Sequence, residues 1–427
     1  MRILYLCPDL GIPVLGRKGA AAHVRSLVHA FNRAGHKVAV AAPRLNKSPW
    51  TEPAKLDVKF HIPPNADTEA VFYSLKAFNE KLGMENSLPS AVRRILYNED
   101  LFTQLGRRFE EEPPDFIYER ASLYATAGVS LARKLNVPLL LELNAALALE
   151  QASYRASGLR DLATQAERWL LSQADAVLAV STLLRDHVLS MGVSPSRIHV
   201  LPNGVDPALF HPGPPDPRVR ARWGLGDGPT VGFVGGLRPW HGVRVLPLLL
   251  GRLVERHRDL RMVIAGDGPL RGELECDLRN KGLLQNAVFT LSLPQEKVAE
   301  LILHFDVALA PYSRLDHAFY FSPLKLFEYM ACGVPVVAAA VGQIAEVVRN
   351  DETGLLYPPD DIDALVAACD QLLTDPGRRQ RLGQAAGKEI HERYTWNHNA
   401  ERVVEIARSL ITTPKKGKLA QGGSSRC

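Results

Sequence analysis

At 427 residues, with 46% hydrophobic and 23% charged residues, the chain is long enough for two or three domains with ordinary apolar cores. The net charge of +5 and pI near 8.9 exclude a strongly acidic or strongly basic protein; the surplus reads as a solvated surface, or as the complement of an anionic partner such as a phosphorylated ligand or an acidic membrane face. No run approaches the roughly 18 consecutive apolar residues of a membrane helix, and no zinc-finger or RNP-type motif marks nucleic-acid binding. The five cysteines are scattered and lack a CxxC pair, which argues against a disulfide framework or zinc site and for a reducing, cytoplasmic setting.

In chain order, MRILYLCPDLGIPVLG opens like a secretion signal, but Pro8 and Asp9 break the apolar run and no small-residue cleavage site follows, so ILYL (3–6) is expected to be a buried first strand. Residues 20–34 then place Val24, Leu27, Val28 and Phe31 at helical spacing and stop at Gly35, and VAVAA (38–42) follows as a strand. FIY (116–118), PLLLEL (138–143) and AVLAV (176–180) continue the alternation, which implies parallel sheets covered by helices. After the Pro- and Gly-rich stretch VLPNGVDPALFHPGPPDP the pattern restarts with TVGFVGG (230–236), RMVIAG (261–266), DVALAP (306–311) and VPVVAAA (334–340). We therefore expect two Rossmann-like doubly wound α/β domains facing a cleft, residues 1–205 and 206–390, with a linker around 205–220. A last helix follows at 396–411, and the tail 412–427 has a disordered composition. In such folds ligands lie beyond the carboxyl ends of the strands, so the loops there carry the chemistry.

The strongest local signal is SPLKLFEYMACGVPVVA (322–338). Ser322 is a good N-cap and Pro323 a good first helical residue, so a helix is expected to start here, with Leu324 in its first turn, and to end at Cys332–Gly333. Free N–H groups at its start make an anion site. Lys325 sits where a cation opposes the helix dipole, a placement that makes sense beside a phosphate. Glu328 is one turn further, so an ordinary i,i+3 pair with Lys325 is the alternative.

This segment resembles the donor-binding signature of the family-4 glycosyltransferases, which are retaining enzymes of the GT-B architecture. The resemblance extends through GAAAHVRSLVHAFNRAGHKVAV (19–40), ADAVLAVSTLLRDHVLSMGVSPSRIHVLPNGVDPALFHP (174–212), GFVGGLRPWHG (232–242), AGDGPLRGELE (265–275) and ETGLLYPPDDIDALVAACDQLL (352–373). It implies sugar transfer from a nucleoside-diphosphate sugar to an acceptor, with the nucleotide sugar as substrate and no cofactor. It also implies that the final helix packs back on the first domain. Glu328 matches the family glutamate that binds the ribose. Three positions depart from the pattern: Tyr320 stands where the family has a first glutamate, Gly236 where it has an arginine, and His241 where it has a lysine.

The expected catalytic set is Arg238, Lys325 and Glu328, with Arg238 and Lys325 standing in for the missing cations. Gly235, Gly236, His241, Gly266, Gly268, Tyr320, Ser322, Pro323 and Leu324 are expected to shape the donor site. Arg238 reads equally as a surface loop residue. Leu291 replaces a usual glycine near the expected base. On the acceptor side, Gly19 opens the first helix and lets a substrate approach the backbone. Glu119, Arg120, Glu142 and Asn144 stand at strand ends as candidate contacts, with helix capping the alternative for Glu142 and Asn144; His23 reads as packing. AGDGPLRG has a Gly too many residues on for a dinucleotide fingerprint. No Asp-x-Asp is present to chelate a donor-bound metal, and DDID (360–363) reads as a helix start. Arg93–Arg94 and Arg107–Arg108 leave room for a peripheral membrane contact. A catalytically dead nucleotide-sugar-binding subunit and a nucleotide-sugar epimerase remain alternatives at this stage.

Overall fold

The computed structural model describes residues 1–46, 56–154, 159–315 and 319–412. The expected disordered tail lies outside the described residues apart from Thr412. The first half forms strands β1 (Arg2–Leu6), β2 (Lys37–Ala42), β3 (Phe60–His61), β4 (Phe116–Arg120), β5 (Leu139–Leu143), β6 (Ala176–Ala179) and β7 (Ile198–Val200). The second forms β8 (Thr230–Val234), β9 (Arg261–Ala265), β10 (Ala287–Phe289), β11 (Val307–Ala310), β12 (Val336–Ala339) and β13 (Leu355–Tyr357). The sheet orders are β3-β2-β1-β4-β5-β6-β7 and β10-β9-β8-β11-β12-β13, with every named pair parallel. Both are doubly wound, and each reverses direction beside its first strand, between β1 and β4 and between β8 and β11. At such switch points the flanking loops diverge and leave a crevice.

Continuous apolar runs such as ILYL form central strands because both faces are covered: Leu4 and Leu6 enter one core cluster, Ile3 and Tyr5 the other. Val24, Leu27, Val28 and Phe31 of the helix Gly19–Arg33 are all at most 1% exposed and fill the second of these clusters. Trp396, Ala400, Val403 and Val404 of the last described helix, Trp396–Thr412, join the same cluster, so this helix packs on the first sheet. Strands β3 and β7 carry no clear apolar period; they are short edge elements whose pairing comes from the neighbouring strand. Two further helices, Ala66–Lys81 and Leu88–Arg108, stand between β3 and β4.

The expected linker at 205–220 is not a loose tether. Val205 and Phe210 are each 1% exposed and belong to the core of the second domain. Val205 pairs with Thr395 in a parallel bridge, its N–H donating to the Tyr394 carbonyl while its own carbonyl accepts from the Trp396 N–H, both at 3.0 Å. The chain thus crosses between domains twice, side by side. Gly204 permits this, since a Cβ there would stand 2.7 Å from the Thr395 carbonyl carbon and from the Trp396 nitrogen. Gly204→Ala is expected to lower stability by about 1–3 kcal/mol, because backbone rather than a flexible side chain must move. Gly272→Ala, in the helix Arg271–Asn280 where nothing lies within 4 Å, should instead raise stability by about 0.5–1 kcal/mol. Urea unfolding of both variants checks the opposite signs.

Candidate active site

The helix Leu324–Ala331 follows β11 and points its N-terminus into the cleft. Pro323 occupies the N-cap, and no side chain caps the helix. Ser322, expected to do so, is used elsewhere: its hydroxyl accepts from the Asn203 N–H at 3.0 Å and its carbonyl from the Asn203 side chain at 2.7 Å. The helix consequently begins one residue later than its sequence suggests, tied to the interdomain crossing by Asn203. It stops at Cys332 with Gly333 in the left-handed region, as the sequence implied.

Opposite this N-terminus, the loops after β8 and β9 press together backbone to backbone. Gly235 and Gly266 have φ of +142° and +151°, and a Cβ on Gly266 would lie 1.9 Å from the Gly235 carbonyl oxygen. A Cβ on Gly268 would lie 2.5 Å from the Leu237 carbonyl oxygen. These glycines are required by contact, and their closely packed peptides make a floor. Gly242, which the sequence reading did not single out, closes the same loop: a Cβ there would lie 1.6 Å from the Pro311 carbonyl oxygen.

Lys325 reaches this floor. It is 7% exposed, and its Nζ makes no hydrogen bond among the described residues. The amine stands 4.1 Å from the ring centroid of Phe233 and 5.1 Å from that of Tyr312, in the space that glycine at 235 leaves open. The i,i+3 ion pair with Glu328 that the spacing allows is not formed, because Nζ turns under the Phe233 ring. Burial pulls the Lys325 amine down to about 7, and burial pushes the Glu328 carboxyl up to about 7 against the pull of Lys325 and a hydrogen bond from Gln295.

His241 is held differently from what its position suggests. Its Nδ1–H donates to the Gly236 carbonyl at 2.5 Å, which fixes the tautomer and leaves Nε2 as an acceptor. Burial and the neighbouring Lys325 lower it to about 3, so it is neutral and has no N–H to offer a ligand. Gly236 has room around it, with no atom nearer than 3.6 Å to a Cβ. Arg238 is exposed, with its guanidinium carbon 5.7 Å from the Trp240 ring centroid and no ion pair among the described residues.

Across the cleft, Gly19 opens the first helix and a Cβ on it would touch Leu324 at 3.5 Å, so the two helix N-termini face each other. Behind Gly19, three groups converge on one carboxylate oxygen. Glu142 Oε1 lies 2.6 Å from His23 Nε2, 3.2 Å from Arg120 Nη1 and 2.7 Å from Asn144 Nδ2. Burial raises the Glu142 carboxyl, but His23 and Arg120 outweigh it and hold it down at about 2. Burial lowers the His23 pKa even beside this carboxylate. His23, read from sequence as packing, does stack on Trp396 at 4.5 Å, but it is also part of the polar cluster. Glu119 is not in it. Adjacent residues of a strand point to opposite faces, so Glu119 turns away from Arg120 toward Gly128, where it is fully buried and unpaired, and burial pushes it up to about 8.

Tyr320 is also displaced from its expected setting. Its ring packs in a core cluster of the first domain, its carbonyl accepts from the Ser181 hydroxyl at 2.8 Å, and its hydroxyl donates to Glu150 at 3.1 Å. Gln343 donates to the Val180 carbonyl at 2.6 Å and Thr182 to Glu346 at 3.0 Å beside it. Tyr320 therefore ties the domains together. The structure thus brings Gly235, Gly236, His241, Lys325 and Glu328 together, and separately groups Arg120, Glu142 and Asn144 with His23. Phe233, Tyr312, Asn203 and Gln343 were not legible as site residues, since each acts through a partner distant in sequence.

Two family models match the chain. Glycosyltransferase Family 4 covers residues 17–209, and Glycosyl transferases group 1 covers 216–389. The alpha-maltose-1-phosphate synthase of Mycolicibacterium smegmatis is 32% identical over 57% of this chain, although the match spans only 65% of that relative. The glycogen synthase of Mycobacterium tuberculosis is 26% identical over 95% of this chain and 94% of its own length. Among solved structures, Anabaena HepE in complex with UDP superposes with a TM-score of 0.69 at 19% identity, covering 96% of this chain and 100% of its own, a likeness of fold. By sequence and architecture the chain therefore belongs to the glycosyltransferases, as a Family 4 domain joined to a group 1 domain on the GT-B fold.

Proposed function

We propose that this chain moves a sugar from a nucleoside-diphosphate sugar to an acceptor, with retention of anomeric configuration and without a metal ion. The observation that carries the donor side is Lys325: a buried amine with no partner among the described residues, beside an uncapped helix N-terminus and above a floor of glycine peptides. A diphosphate gains negative charge as the glycosidic bond breaks, and preorganised N–H groups with one cation stabilise it. Arg238, exposed at the rim, adds charge from outside. Glu328 holds the ribose hydroxyls. Family resemblance and the nucleotide-sugar enzymes among the relatives and structural neighbours support this reading.

The acceptor enters from the first domain. Gly19, Arg120, Glu142 and Asn144 shape that side: the crowded Oε1 of Glu142 stays ionised and holds Asn144 and Arg120 in place. The helices Ala66–Lys81 and Leu88–Arg108 expose Tyr73, Phe78, Leu82 and Met84 along their hairpin, which supports a peripheral contact with a membrane-borne acceptor. Arg93 is not free for it, because it pairs with Glu69 and stacks on Phe72 at 4.6 Å.

A thermal-shift series with nucleoside diphosphates tests the reading, since a binder at a hundred times its Kd stabilises the protein by about 2.7 kcal/mol. Incubation with the matching nucleotide sugar then separates transfer from its alternatives: acceptor-dependent nucleotide release, an isomerised donor, or binding without turnover.

Glu328→Ala should abolish useful donor binding while the fold persists; wild-type affinity for the nucleoside diphosphate in calorimetry would refute the ribose role. Activity should survive exhaustive EDTA treatment, because among the described residues no three His, Cys, Asp or Glu side chains are grouped to hold a metal; turnover lost to EDTA and restored by magnesium or manganese would overturn this. Arg238→Gln and Lys325→Met should each lower kcat/KM by on the order of a hundredfold, the cost of one lost donor to the leaving group.

A further inference from the structure

Lys325 carries a cost that the donor-free fold does not offset. Its amine is shut off from water, no carboxylate comes within ion-pairing distance among the described residues, and its nearest neighbours are two aromatic faces and glycine backbone. An ammonium in such a place lacks a counter-ion, and the attraction of ring faces only partly replaces lost hydration. We propose that Lys325 is uncharged in the donor-free protein and takes up a proton from solvent when a nucleoside diphosphate binds, so that the ligand supplies the missing counter-charge. This rests on the donor site proposed above and adds to it how the site is charged.

The groups facing Lys325 leave the assignment specific. Its own helix presents Glu328, one turn on. The loop after β8 presents His241 and Arg238, and the described part of the segment after β11 presents the Tyr312 ring. Burial and the nearby Lys325 hold His241 down at about 3, and burial raises Tyr312 above its ordinary range, so neither changes protonation between pH 6 and 9. Among the described residues, Lys325 and Glu328, both brought to about 7 by burial, are the two groups facing this site that can exchange a proton in this window.

The sign follows from linkage. A bound anion stabilises the ammonium and raises the amine's pKa, so protons are taken up above the pKa of the free site and none are needed well below it. At pH 8 uptake approaches one proton per ligand, and near pH 6 it vanishes. Above pH 7.5 the affinity falls by up to about tenfold per pH unit. The ligand's own terminal phosphate, with a pKa of about 6, is fully ionised at pH 8 and contributes nothing there.

The test is titration calorimetry at pH 8 with the tightest binder among UDP, GDP and ADP, in three buffers of different ionisation enthalpy. The slope of observed heat against buffer ionisation enthalpy counts protons directly. The expected result is uptake close to one proton for the wild type and close to zero for Lys325→Arg, which remains charged when empty. Binding by the wild type with no uptake would overturn the proposal and leave the donor site standing. An unchanged uptake in Lys325→Arg would overturn it by assigning the proton to Glu328. Failure of all three nucleotides to bind would overturn the donor-site reading and this proposal with it. Circular dichroism and the melting temperature of Lys325→Arg check that the variant is folded; if it is not, Lys325→Met, which removes an unpaired buried amine, takes its place with the same expected slope.

Discussion

The site depends on the double crossing at Gly204–Val205 and Thr395–Trp396. There the two passages of the chain are bonded to one another as a short parallel ladder, with only a glycine's width between them. Both sides of the cleft are attached close to this point. Asn203 binds the Ser322 hydroxyl and carbonyl, and so sets where the Leu324 helix begins. Trp396 stacks on His23, which lies against Glu142. Any movement of one domain on the other must pivot where both ligand-facing clusters are anchored, so the relative position of donor-side and acceptor-side groups is governed by a few backbone contacts.

A second set of contacts joins Tyr320, Gln343 and Glu346 of the second domain to Glu150, Ser181, Val180 and Thr182 of the first. These contacts combine hydrogen bonds with apolar packing, since the Tyr320 ring is buried in the first domain's core. The domains are therefore joined both at the backbone crossing and through these side chains.

Electrostatically, the two sides solve the problem of buried charge in opposite ways. Glu142 is surrounded by donors, and its carboxyl stays ionised at about 2 despite burial. Lys325 has no such neighbours and faces rings and peptide edges. The first gathers donors on one carboxylate oxygen and holds side chains in place; the second is an amine with no partner among the described residues, and that is what points to a ligand.

Much of the architecture was legible in the residues alone. Continuous apolar runs such as ILYL and VALA specify strands covered on both faces, the 3.6-residue spacing of Val24, Leu27, Val28 and Phe31 specifies a helix, and their alternation specifies parallel sheets. Gly333 marked a helix end because few other residues adopt its backbone conformation. Lys325 stood out because a cation in the first helical turn is locally unfavourable. These are properties of short segments, set by sterics, burial and dipoles that operate within a few residues. What only the tertiary structure decided involves partners far apart in the chain. Ser322 looked like a cap until Asn203, 119 residues away, claimed its hydroxyl. Glu119 and Arg120 looked alike until the pleat sent one toward Gly128 and the other toward Glu142. Tyr320 looked like a donor contact until the first domain enclosed its ring. In each case a polar side chain has several locally acceptable partners, and which one it takes depends on distances between elements that local spacing does not encode.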